Sequence, residues 1–204
     1  MTLAAHGLDR VVLASGNADK LREFRELLAP LGIELVPQAE LGIVDADETG
    51  LTFLENALIK ARHASRASGL PALADDSGLC VDALGGAPGL YSARYAGQQA
   101  DSAANIAKLL DGLRSVPDAQ RGAHFVCVLA LLRHADDPDP LIATGRWFGS
   151  VLHTPRGAHG FGYDPVFAGR GSPLSAAEMA TPDKHAVSHR GIALVRLRAS
   201  LERQ

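Results

Sequence analysis

Residues 10–31 read RVVLASGNADKLREFRELLAPL, and the class of fold follows from this stretch. RVVLA is an apolar run of strand length, broken by Ser15, Gly16 and Asn17. Beyond the break, Leu21, Phe24, Leu28 and Leu31 recur at helical spacing. The reading is strand, turn, helix, with the helix ending near Gly32, and IELVP (33–37) is a second strand. Thr52 and Glu55 then make a capping box for a second helix. Its expected buried stripe is Leu54, Leu58 and Ala61, and Gly69 closes it.

Outward from there, PALA (71–74) is a strand that delivers two adjacent carboxylates, Asp75 and Asp76, followed by Ser77 and Gly78. Two readings stand side by side. Asp, Ser and Gly are turn formers, so the segment is a polar turn where the strand ends; or the pair belongs to a metal or acid–base site. Residues 80–99 are Gly-rich and irregular, and a helix spans about 101–114. HFVCVLALL (124–132) is the most hydrophobic strand, DDPDP is a turn, and LIATGRWFGSVL (141–152) holds one or two more strands. GFGYDPVF (160–167) is a loop beside a strand, SAAEMA (175–180) a short helix, and 189–202 a longer one. Alternating strands and helices, without repeats or a separating linker, predict an α/β fold on a mixed sheet, one domain over 1–204.

Composition narrows the function classes. The chain has 204 residues, 47% hydrophobic and 21% charged, with a net charge of −3. That is ordinary globular material, with no basic field to recruit nucleic acid or an anionic membrane. No apolar run approaches a membrane span, and MTLAAHGLDR does not read as a signal peptide, so a cytoplasmic protein is expected. Cys80 and Cys127 have neither zinc nor redox spacing. Only four of the 20 basic residues are lysines: Lys20, Lys60, Lys108 and Lys184. A chain that favours Arg on its surface draws attention to these positions.

SGNADK (15–20) lies where a strand meets a helix N-terminus, a place that attracts anions. With Asn17 as N-cap, Lys20 puts a cation in the first turn, against the dipole, and a bound phosphate would reverse that penalty. An ordinary strand–helix turn with a solvated lysine is the alternative. SHRG (188–191) repeats the mismatch with His189 and Arg190, and Lys184 lies just upstream. Two such helix starts point to a shared anionic ligand. Asp45, Asp47 and Glu48 form either a polar loop or a source of hard oxygen ligands, and Lys60 sits on the polar face of its helix. Phe161, Tyr163 and Asp164 combine aromatic rings with a carboxylate, as a nucleobase pocket would, or form a Gly-Pro loop with core aromatics.

In this order SGNADK, DETGLTFLENALIKA, ADDSGLCVDALGGAPGLYSARYAG, FGYDPVF and SHRGIAL resemble the inosine triphosphate pyrophosphatase family, from residue 11 to 194. Ser15 stands where the family usually has Thr, which keeps the hydroxyl. The resemblance implies an elongated two-lobed α/β fold with a deep cleft between the lobes, and usually a homodimer. It implies Mg²⁺-dependent hydrolysis of ITP, dITP and XTP to the monophosphate and pyrophosphate, which cleanses the nucleotide pool. By position, Ser15, Gly16, Asn17, Ala18, Asp19 and Lys20 would hold the triphosphate. Asp76 would be general base and, with Glu48, metal ligand; Asp75 would assist, Lys60 support the phosphate chemistry, and Ser77 touch substrate. Phe161, Gly162, Tyr163, Asp164, Lys184, His189 and Arg190 would shape the base pocket, which assigns His189 and Arg190 to the base rather than to the phosphates. Release of orthophosphate from the γ position, or nucleotide binding without catalysis, are the alternative readings.

Overall fold

A computed structural model describes residues 8–28, 32–99 and 101–203. Its strands are β1 (Arg10–Ala14), β2 (Glu34–Pro37), β3 (Ala72–Val81), β4 (Gly122–Leu132), β5 (Leu141–Val151) and β6 (Phe167–Gly169). Its helices are α1 (Ala18–Leu28), α2 (Phe53–Ser68), α3 (Ser102–Gly112), α4 (Thr181–Val187) and α5 (His189–Leu201). The six strands form one sheet in the order β2-β1-β3-β4-β5-β6. β1 pairs in parallel with β2 and β3, while β5 and β6 are antiparallel, so the sheet is mixed and the fold is α/β, as expected. Parallel strands covered on both faces need nearly continuous apolar sequence, which Val11–Ala14 supply.

The chain divides into two compact units. The first comprises residues 1–76, 127–145 and 191–204, and its core joins Val11, Leu13, Phe24 and Leu28 to Leu129, Leu131, Leu194 and Leu197. The second comprises residues 77–126 and 146–190. Its core gathers Leu79, Val81, Leu109, Phe125, Trp147 and Phe167. Phe167 meets Phe125 edge-on at 4.7 Å and Trp147 at 5.0 Å, the tilted geometry that aromatic quadrupoles favour. Gly149 is required where β5 approaches β6, because a Cβ there would run into the Ala168 carbonyl.

Several expectations are corrected. Asp75 to Gly78 are no turn: β3 runs straight through them to Val81, because the charges that would have expelled them from a strand are paired. The buried face of α2 is Asn56, Ala57, Ala61, Ala64 and Ser65, whereas Leu54 is 40% exposed. Small residues face inward there, and they carry the polar Asn56 and Lys60 in with them. SAAEMA is not helical: Ser175 bridges to Ala168 and receives the Glu178 carboxylate on its N–H at 2.7 Å, local bonding that competes with a helix. Of the one or two strands expected over 141–152, residues 141–151 make one. α4 begins at Thr181 after Ala180, with Pro182 in its first turn. Leu31 lies outside the described residues.

Thr52 caps α2 by accepting the Glu55 N–H at 3.1 Å, and the Glu55 carboxylate takes the Leu51 N–H at 2.8 Å. Thr52→Ala should therefore lower stability by about 1 kcal/mol, read as a shift in the denaturant midpoint at unchanged slope.

Candidate active site

The parallel ladder fixes where the acidic pair falls. Val12, Leu13 and Ala14 stand opposite Ala72, Leu73 and Ala74, so β1 ends just as β3 reaches Asp75. The chain turns through Ser15–Asn17 into α1 at the carboxyl end of β1, the end where open α/β sheets bind ligands. Asn17 caps α1, its side-chain oxygen accepting the Lys20 N–H at 3.0 Å, and its own N–H reaches Ser15 Oγ at 3.3 Å. Asp19 faces outward to Arg22 at 2.8 Å. Gly16 leaves no room for a side chain, since a Cβ would lie 2.7 Å from the Asp45 carboxylate.

From this first turn Lys20 reaches back to β3, with Nζ 3.0 Å from Asp75 Oδ2, whose side chain is fully buried. Successive strand residues point to opposite faces, so Asp76 needs a different partner. α2 supplies it. Lys60 Nζ lies 2.7 Å from Asp76 Oδ1 and 2.8 Å from Glu48 Oε1. One turn earlier, Asn56 extends its amide toward Asp76 Oδ2 at 3.5 Å and accepts the Gly50 N–H at 2.8 Å, which ties the acidic loop to α2. Burial pushes the Asp76 carboxyl above its ordinary value, with Lys60 pulling it back. Burial also depresses the Lys60 ammonium, but Asp75, Asp76 and Glu48 outweigh it and hold Lys60 above its usual range.

Three carboxylates against two ammoniums leave this cluster one negative charge. Glu48 and Asp76 converge on one cation, the Lys60 ammonium. Among the described residues no group of three or more His, Cys, Asp or Glu is placed to hold a metal. The two carboxylates that meet at Lys60, of Glu48 and Asp76, are hard oxygen donors, the kind that suits a divalent ion which fills the rest of its shell with water and phosphate oxygens.

The second unit holds a different arrangement. Asp164 Oδ2 accepts the Phe161 N–H at 2.8 Å and the Lys184 ammonium at 2.7 Å, with Lys184 only 7% exposed. Gly160 (φ +75°) allows this turn, because a Cβ there would collide with the Asp164 carboxylate. Lys184 and Arg190 lie over the Phe161 ring at 5.6 and 5.1 Å, within cation–π reach. Arg190 also donates to Ser77 Oγ at 2.9 Å. His189 stacks on Phe125 at 4.7 Å with an 11° interplanar angle. Tyr163 is buried, its hydroxyl donating to the Ser92 carbonyl at 2.9 Å and its pKa raised by burial. A flat ring beside fixed cationic donors can take an aromatic ligand that carries acceptor oxygens.

The structure thus brings Lys20, Glu48, Lys60, Asp75 and Asp76 together in one unit. It gathers Ser77, Phe161, Asp164, Lys184 and Arg190 in the other, with His189 stacked on Phe125. The one-turn spacing of Asn56 and Lys60 put them on one helix face in the sequence. Phe125 went unread, because nothing local marks it and it meets His189 only through the tertiary fold.

The fold is an α/β sheet that carries paired acids and lysines beside the carboxyl end of β1. The Ham1 family model matches residues 11–200, and the chain belongs to the Ham1 family. It is 58% identical over 187 residues to a dITP/XTP pyrophosphatase of Yersinia pestis, covering 92% of this chain and 95% of the relative. A dITP/XTP pyrophosphatase of Xanthomonas campestris pv. campestris is 59% identical over 194 residues, covering 95% and 98%. Among solved structures, a HAM1 protein from Coxiella burnetii superposes with a TM-score of 0.88 at 50% identity, over 96% of this chain and 99% of that one.

Lys184→Met strands the Asp164 carboxylate in a buried site and should cost about 3–5 kcal/mol of stability. Adding Asp164→Asn should restore much of that loss, which equilibrium unfolding of the single and double variants measures.

Proposed function

We propose that the chain hydrolyses non-standard purine nucleoside triphosphates (dITP, XTP and ITP) to the monophosphate and pyrophosphate with Mg²⁺. The observation that carries this reading is the lysine–carboxylate cluster around Asp75 and Asp76, and the relatives named as dITP/XTP pyrophosphatases support the substrate class. Residues 15–20 present the N–H groups of a helix start and the Lys20 ammonium to the polyphosphate. Asp76 orients or deprotonates the water that attacks the α-phosphorus. Its raised pKa, from burial first, makes it a stronger base than an exposed aspartate. Lys20 and Lys60 offset charge on the leaving pyrophosphate. When bound by Asp76 and Glu48, Mg²⁺ supplies further positive charge against the phosphate oxygens.

Phe161 offers the base a stacking face, while Lys184 and Arg190 supply donors beside it. Hypoxanthine and xanthine carry a keto oxygen at C6 that accepts such a hydrogen bond. Adenine presents an amino group there and would leave a donor unpaired, a mismatch able to discriminate by about 10⁴-fold. A homodimer, which the family resemblance implies, and a cytoplasmic location, expected from the sequence, complete the reading. Among the described residues no helix is long and apolar enough to cross a membrane.

A nucleotide panel with Mg²⁺ tests the reaction: dITP and XTP should yield pyrophosphate, and orthophosphate as first product would overturn the assignment. Asp76→Asn should lower kcat by roughly 10²–10⁴-fold in a folded protein. Since activity requires ionised Asp76, wild-type kcat should fall toward acid as that carboxylate takes up a proton, which a pH–rate profile measures. Arg190→Ala should shrink the ITP-over-ATP preference in kcat/KM by about 10²-fold, and an unchanged ratio would move base recognition to other groups.

A further inference from the structure

Lys60 occupies the point on which Glu48 and Asp76 converge, at 2.8 and 2.7 Å from their oxygens. Those are the carboxylates assigned to the divalent ion. Mg²⁺ binds oxygen at about 2.0–2.1 Å, so an ion seated between the same oxygens would press against the ammonium. Two cations cannot share the seat without strong repulsion in a site this shielded: the Lys60 side chain is 12% exposed and that of Asp76 10%. Lys60 projects from α2 on a flexible four-carbon stem, and a triphosphate would offer its ammonium another anionic partner.

We propose that Lys60 is a resident counter-ion, which the divalent ion must displace from Glu48 and Asp76. The inference rests on the metal-assisted reading above and adds an order of events to it. Without nucleotide the ammonium holds the seat, and the ion binds weakly. With nucleotide the phosphates draw the ammonium away, and the ion enters together with its substrate. The protein then stays intact without metal: the carboxylates are never left facing each other uncompensated, and the ion is recruited only when there is something to hydrolyse. Asp75 keeps its own partner, Lys20, throughout.

The test titrates Mn²⁺ alone, near pH 8 and without nucleotide, into wild type, Lys60→Met and Lys60→Arg, followed by calorimetry. Removing the ammonium should tighten Mn²⁺ binding by roughly ten-fold or more, while Lys60→Arg, which keeps a cation on the seat, should bind as weakly as wild type. Equal or weaker binding by Lys60→Met would overturn the counter-ion role. Should Lys60→Met fold poorly, wild type supplies a second reading: Mn²⁺ alone should not raise its Tm below about 1 mM, and a rise at micromolar Mn²⁺ would equally overturn it. Pyrophosphate release from dITP by wild type is assayed separately. Activity with no tightening in Lys60→Met sinks only the counter-ion role, whereas tightening with no activity sinks the hydrolase reading beneath it.

Discussion

Two carboxylates, adjacent in a strand buried on both sides, are the constraint on which the first unit is built. Neither Asp75 nor Asp76 could remain charged in β3 unless a cation met it from its own side of the sheet. Lys20 meets one and Lys60 the other, the first from α1 and the second from α2. Losing either partner would leave a buried charge uncompensated, a cost of about 3–5 kcal/mol that rivals the net stability of many domains. A purely structural role would be served better by apolar side chains, so a cluster of this kind points to chemistry.

Much of this was legible because local rules agree with the tertiary structure. RVVLA, the Asn17 cap, the Thr52–Glu55 pair and the Gly69 terminator each specify an element through its own few residues, and the structure uses them all. The errors arose where distant charges override local preference. Asp-Asp-Ser-Gly looks like a turn until Lys20 and Lys60 arrive from elsewhere, and only then can the strand continue. α2 misleads for a similar reason: its leucines suggest the core face, but the contact with the sheet is made by alanines, because short side chains let Asn56 and Lys60 reach Asp76.

The same logic governs the second unit. Asp164, singled out in the sequence beside Phe161 and Tyr163, holds the Phe161 backbone and the Lys184 ammonium at once, and so sets a ring and a cation in fixed relation. Arg190 approaches the same ring from the start of α5. The apparent electrostatic fault of basic residues in the first turn of a helix is thereby explained without a phosphate. Their partners are an aromatic face, a serine hydroxyl and the Phe125 ring beneath His189. Phe125 shows the limit of reading a chain by its neighbours, since its spacing in β4 says only that it faces a core.

What joins fold to the proposed function is the position of Asp76, buried in β3 and held by the Lys60 ammonium. If this carboxylate directs water onto the α-phosphorus, the oxygen of that water has a determined fate. Hydrolysis of dITP in ¹⁸O-labelled water, with the products resolved by mass spectrometry, follows it directly. The label should appear in the nucleoside monophosphate and be absent from pyrophosphate; label in pyrophosphate would mean attack at the β-phosphorus and would contradict the role given to Asp76.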